Sequence, residues 1–154
     1  MFWDKTSQGY EVWHLFTEGQ KAVVEKALAG ATYTVRRMPS GPYSRQPFEE
    51  ERPIRWSVVR SKDAWDGCWK VYVGAADAVE PAQRLINAAM AAILAPGVRV
   101  RLLYVMNRFG RFPEGIPAGT LGTVVERDWE SGVKIAFDGY PEPADIGKYW
   151  VWTI

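Results

Sequence analysis

Residues 96–139 place the tightest limits on how this chain folds. They read PGVRVRLLYV, then a loop, then GIPAGTLGTVVE, then a turn, then GVKIAFDG. Three short segments of strand character are separated by glycine-containing turns, and the rest of the chain must pack onto or beside them. Val133, Ile135 and Phe137 fall on every second residue, with Lys134 and Ala136 between them. That is the period of a strand with one face buried and one face wet. Val98, Val100 and Leu102 repeat the pattern, with Arg99 and Arg101 on the opposite face. Leu103, Tyr104 and Val105 break it, as expected where a strand bends or is covered by a neighbour. Gly119 and Gly122, just before Thr123, Val124 and Val125, predict a bulge or a close backbone approach. Asp138-Gly139 is a turn signal, and the chain returns through Gly147 and Lys148 into a last strand over residues 149–154.

Over residues 96–154 the order GVRVRL, IPAGTLGTVVE and GVKIAFDG resembles the small SH3-like barrels of the KOW type. In those an apolar strand, a G-T-x-G-x-V hairpin and a V-x-I-x-F/W-D strand recur in that order. The resemblance implies a binding module for RNA, DNA or protein, and similar barrels occur in small phage and plasmid proteins. Fold likeness by itself does not carry function.

Upstream, residues 10–16 read as a strand, with Val12 and Phe16 on one face and Trp13 and Leu15 on the other. Thr17 is placed as a helix N-cap, and Gln20 completes a capping box. The helix runs to Ala29, with Val24 and Leu28 stacked at i, i+4, and Gly30 stops it. Residues 31–38 read as a strand. Residues 39–53, PSGPYSRQPFEEERP, carry four prolines and are expected to form a long loop. Such loops are often functional. Ile54, Trp56 and Val58 alternate in one strand and Trp69, Val71 and Val73 in the next, joined through Asp66-Gly67. A second helix starts between Asp77 and Pro81, buries Leu85, Ala89, Ile93, Ile86 and Met90, and ends at Pro96-Gly97.

The expected fold class is therefore α+β: an N-terminal antiparallel sheet with two helices over residues 1–95, followed by a C-terminal SH3-like β-barrel over residues 96–154. From the first helix onward the order also resembles that of a double-stranded-RNA-binding domain. Asp77 and Glu80 stand where that family has a basic cluster, and acidic groups there would repel phosphate.

Net charge is +1, which argues against a broadly electrostatic nucleic-acid binder. The single cysteine, Cys68, excludes an intrachain disulfide and fits a reducing, cytoplasmic setting. MFWDKTSQGY shows no signal-peptide pattern, and no apolar run is long enough to span a bilayer. Eight Trp, seven Tyr and six Phe suit small cores that need large side chains, and supply rings for an interface.

Nothing converges on catalysis. His14, the one histidine, sits among apolar neighbours and reads as a core or edge residue. One His and one Cys do not make a zinc site of the usual kind. A His14–Cys68 nucleophile–base pair has no local support. GTLGT lacks the lysine of a phosphate loop and precedes a strand. The expectation is a chain that is no enzyme and uses no cofactor or metal.

Two binding readings remain. The first is a non-catalytic protein-binding module whose partner is a host protein or complex, contacted by Tyr43, Phe48, Glu49, Glu50, Glu51, Arg108, Phe109, Arg111 and Phe112. Small size and the barrel resemblance suggest a specific form of it, a phage or mobile-element regulator or inhibitor of the anti-CRISPR kind. The second is nucleic-acid binding through Arg99, Arg101, Arg108 and Arg111 on phosphate, with Phe109 and Phe112 stacking on bases.

Overall fold

The computed structural model describes residues 9–37, 48–61, 69–103, 115–128, 132–146 and 151–154. In chain order the elements are β1 (Tyr10–Leu15), α1 (Glu18–Leu28), β2 (Thr32–Arg37), β3 (Phe48–Pro53), β4 (Trp56–Arg60), β5 (Trp69–Val73), a 3-10 turn at Ala76–Ala78, α2 (Val79–Ile93), β6 (Arg99–Leu102), β7 (Leu121–Asp128), β8 (Gly132–Phe137), β9 (Ala144–Ile146) and β10 (Val151–Thr153).

This corrects the α+β expectation. The described chain is mostly β, with 47% of its residues in ten strands and only two short helices. The strands fall into three sheets, not an N-terminal sheet followed by a barrel. One is three-stranded in the order β1-β5-β4, one is a two-stranded ribbon of β2 and β3, and one is five-stranded in the order β10-β6-β7-β8-β9. The physical reason lies in residues 48–53. Their glutamates and proline read as loop, yet they form β3 and draw β2 away from the first sheet. Strand propensity is largely a matter of what lies opposite. Here Arg36 and Arg37 stand across from Glu49 and Phe48, and Arg37 Nε reaches Glu50 Oε2 at 3.0 Å. Pro53 closes the strand at its end, where a missing N–H is tolerated.

The cap of α1 follows the sequence with one change. Gln20 N–H donates to Thr17 Oγ1 at 3.1 Å, as a capping box requires. The Gln20 side chain reaches one residue further back than expected, and Phe16 N–H donates to its Oε1 at 2.6 Å. Gln20 is buried by this arrangement, with its carbonyl satisfied. Gly30 follows the helix with φ +67, a conformation open to glycine.

A first core gathers Trp13 and Leu15 of β1, Val24 and Leu28 of α1, Val71 and Val73 of β5, and Ala82, Ile86 and Met90 of α2. The buried stripe of α2 is Val79, Ala82, Ile86 and Met90, while Leu85, expected inside, is exposed. A second core gathers Leu94, Val100, Leu102, Val124, Ile135, Phe137, Ile146 and Val151. Trp152 packs against both.

Gly122 supplies the close approach expected of it. A Cβ there would lie 2.6 Å from Ile135 Cγ2 and 2.9 Å from the Ala136 carbonyl oxygen. The bulge sits three residues later. Val124 faces Ile135 and Glu126 faces Lys134, so Val125 has no partner and turns its side chain to solvent. One extra residue inverts the in–out phase of everything after it. Arg127 therefore lies opposite buried Val133 and points inward.

Candidate interaction surface

The β2–β3 ribbon has two distinct faces, because residues directly opposite in an antiparallel pair project the same way. Tyr33, Val35 and Arg37 share a face with Arg52, Glu50 and Phe48. Tyr33 and Val35 turn that face onto the first core. Thr32, Thr34 and Arg36 share the other face with Pro53, Glu51 and Glu49, and all six are exposed. Phe48 lies on the core side but beyond the core, at the ribbon's end, and is 51% exposed.

The three glutamates are therefore not equivalent. Glu50 is held between Arg37 at 3.0 Å and Arg52 at 3.2 Å, so its charge is answered within the ribbon. Glu49 and Glu51 stand on the exposed face with no ion pair among the described residues. Within the three sheets, β2 and β3 pair only with each other. Among the described residues each therefore has an outer row of backbone groups that no strand pairs, the kind of edge that takes another strand.

Arg99 and Arg101 alternate outward from β6, as their spacing predicts. Among the described residues only Arg99 is held by a carboxylate. Arg99 makes a forked pair with Asp138, Nη1 to Oδ1 at 2.9 Å and Nη2 to Oδ2 at 2.6 Å, and Nη1 also donates to Thr123 Oγ1 at 2.9 Å. Bidentate arginine–carboxylate pairs are among the stronger polar contacts. Asp138 is held below the usual aspartate range by the hydrogen bond from Arg99, and Arg99 is raised by the same bond. Arg101 lies opposite Leu121 and Trp152, is exposed, and makes no ion pair among the described residues.

Tyr43, Cys68, Arg108, Phe109, Arg111 and Phe112 lie outside the described residues. His14 is half-buried on β1, where its Nε2 meets Glu11 Oε1, and Glu11 Oε2 lies 3.8 Å from Lys70 Nζ. Among the described residues no three His, Cys, Asp or Glu side chains are placed to hold a metal ion. No helix of the described residues is long and apolar enough to cross a membrane.

No family model, curated protein or solved structure matches this chain.

The surface also holds a pocket of about 290 Å³ that no local sequence pattern announces. Tyr33, Arg52, Pro53, Arg55, Ala75 and Ala78 line it. Tyr33 O–H donates to Asp77 Oδ1 at 2.8 Å, and Arg52 Nη1 lies 3.8 Å from Asp77 Oδ2. Burial pushes the Tyr33 phenol up, and the hydrogen bond to Asp77 adds to the rise. Arg55 is exposed and makes no ion pair among the described residues. Its carbonyl accepts from Gly74 N–H at 2.9 Å, which pins the backbone that carries it. The one local signal was RPIR, two arginines around Pro53 and Ile54, which reads as an ordinary solvated link.

Proposed function

We propose that this chain is a non-catalytic protein-binding module that meets its partner through the β2–β3 ribbon. The observation that carries the reading is Phe48, an aromatic ring half-exposed at the end of a two-stranded ribbon whose edges pair with no other strand among the described residues. An aromatic anchor beside charged groups is the pattern from which interface hot spots are built. Glu49 and Glu51 give the same ribbon an acidic face suited to a partner with basic side chains. A cytoplasmic setting fits a chain with one cysteine.

The nucleic-acid reading loses support at Arg99, whose guanidinium is already answered by Asp138. A phosphate would have to displace a forked carboxylate to reach it. Arg101 remains available for that role among the described residues.

Affinity capture from host lysate tests the proposal, with the tagged wild-type chain compared to Phe48→Ser, to the pair Glu49→Lys and Glu51→Lys, and to Arg101→Ala. A protein partner lost with both ribbon variants and kept with Arg101→Ala, after nuclease treatment, is the expected result. Capture that survives both ribbon variants rejects it. A mobility shift with nucleic acid that weakens steeply with salt and is lost with Arg101→Ala moves the assignment to the alternative.

A further inference from the structure

We propose that the pocket between the base of the ribbon and the β4–β5 sheet binds an organic carboxylate. The inference stands on the pocket alone and does not depend on the ribbon's having a protein partner. Charge is the first argument. Arg52 is answered by Glu50 at 3.2 Å and by Asp77 at 3.8 Å. Glu50 is shared with Arg37 and Arg55 has no carboxylate among the described residues, so the linked cations Arg37, Arg52 and Arg55 face only Glu50 and Asp77, which leaves one surplus positive charge at the pocket. A monoanion neutralises that charge. A phosphate dianion overshoots it and meets Asp77, which Tyr33 holds at the same site.

Shape and wall chemistry give the second argument. The guanidinium's planar fork of donors matches the two oxygens of a carboxylate. The Tyr33 ring, Pro53, Ala75 and Ala78 supply apolar wall for the body of the ligand. A volume of about 290 Å³ is small for a ligand site and admits a compact acid, not a nucleotide. Two sources offer this chemistry: a free small acid, or the carboxylate of a peptide chain.

The test is an NMR titration of the full chain at constant ionic strength, following the Arg55 Nε–H signal. The probes are sodium benzoate, neutral benzamide, inorganic phosphate, and a blocked dipeptide with a free C-terminus against its amide. Benzoate is expected to shift the signal saturably, with half-saturation below about 10 mM. Benzamide and the dipeptide amide are expected to leave it unmoved. Arg55→Gln, which removes an exposed side chain and so leaves the melting temperature unchanged, should weaken benzoate at least about tenfold. Arg55→Lys keeps the charge without the fork and should fall between the two. Dipeptide acid binding more tightly than benzoate assigns the site to a chain end, and the reverse order to a free acid. Absence of saturation, equal response to benzamide, phosphate binding more tightly than benzoate, or benzoate binding untouched by Arg55→Gln would each overturn the proposal.

Discussion

Arg127 on β7 donates from Nη2 to Oδ1 of Asn87 on α2, 3.0 Å away, and so ties the five-stranded sheet to the helix of the first core. Asn87 is only 5% exposed, and the remaining Arg127 nitrogens, Nε and Nη1, are buried without a partner. Desolvation holds the guanidinium below the usual arginine range. This cation is in place because the Val125 bulge turned it inward.

An under-satisfied buried charge stabilises little, whereas removing its one partner is costly. Arg127→Met should leave stability unchanged or raise it by about 1 kcal/mol. Asn87→Ala should cost roughly 1.5–3 kcal/mol in the wild type and much less in the Arg127→Met background. Urea denaturation of the four chains measures the coupling, and additive effects would show that the hydrogen bond contributes nothing.

Trp152 touches both cores, and its indole lies so close to Gly19 that a Cβ there would sit 2.6 Å from Nε1. Trp152→Ala should cost roughly 3 kcal/mol, the low end for losing a packed tryptophan, since this ring is only partly buried. It should also broaden or split the thermal transition, because the two cores would lose a shared side chain. A single sharp calorimetric peak in the variant would contradict the second expectation.

Gly122→Ala should destabilise by about 1–3 kcal/mol, the usual range for overpacking. The added methyl meets Ile135 and the Ala136 carbonyl, and the backbone oxygen has little room to yield. Gly115→Ala is a useful contrast: its Cβ would meet nothing within 4 Å, but its φ is +92, so any cost comes from backbone strain. Ala136 and Ile135 amide exchange should speed up in Gly122→Ala and stay unchanged in the contrast variant.

The Arg99–Asp138 pair predicts a pH dependence. Asp138 titrates below the ordinary aspartate value of 3.8 because Arg99 hydrogen-bonds its charged form. A folded value below the unfolded one means the stabilisation is present above the unfolded value and is lost as pH falls through the folded one. The carboxyl carbon of Asp138 should therefore show a midpoint below 3.8 by NMR, and Arg99→Met should move it upward. A midpoint unmoved by the substitution would show that the pair does not persist in solution.

Tyr33 titrates in the opposite sense. Its phenol is raised above 10.0 by burial first and by the Asp77 hydrogen bond second. The matching stabilisation is complete below the unfolded value and fades as pH rises through the folded one. Tyr33→Phe should remove it and cost about 1 kcal/mol at neutral pH. Ultraviolet titration of the phenolate signals, wild type against variant, reads the shift directly.

The amino-acid sequence alone determined what is local and periodic. Alternation placed Val100, Leu102, Ile135 and Phe137 inside and Arg99 and Arg101 outside, and Thr17 with Gln20 marked the start of α1. Gly122 signalled a close approach because only a residue without a Cβ fits there. Tertiary structure alone decided how those pieces combine. It made a strand of Phe48–Pro53 by setting Arg36 across from Glu49 and Arg37 within reach of Glu50, turned Arg127 inward through a one-residue bulge, and neutralised Arg99 with a carboxylate 39 positions away. It also brought Tyr33 to Asp77 across 44 positions, beside Arg55. Periodicity reports which face a side chain takes, because that depends on its own backbone. Which strand pairs with which, and which charge is answered, depends on residues far away in the chain, and no local pattern carries that information.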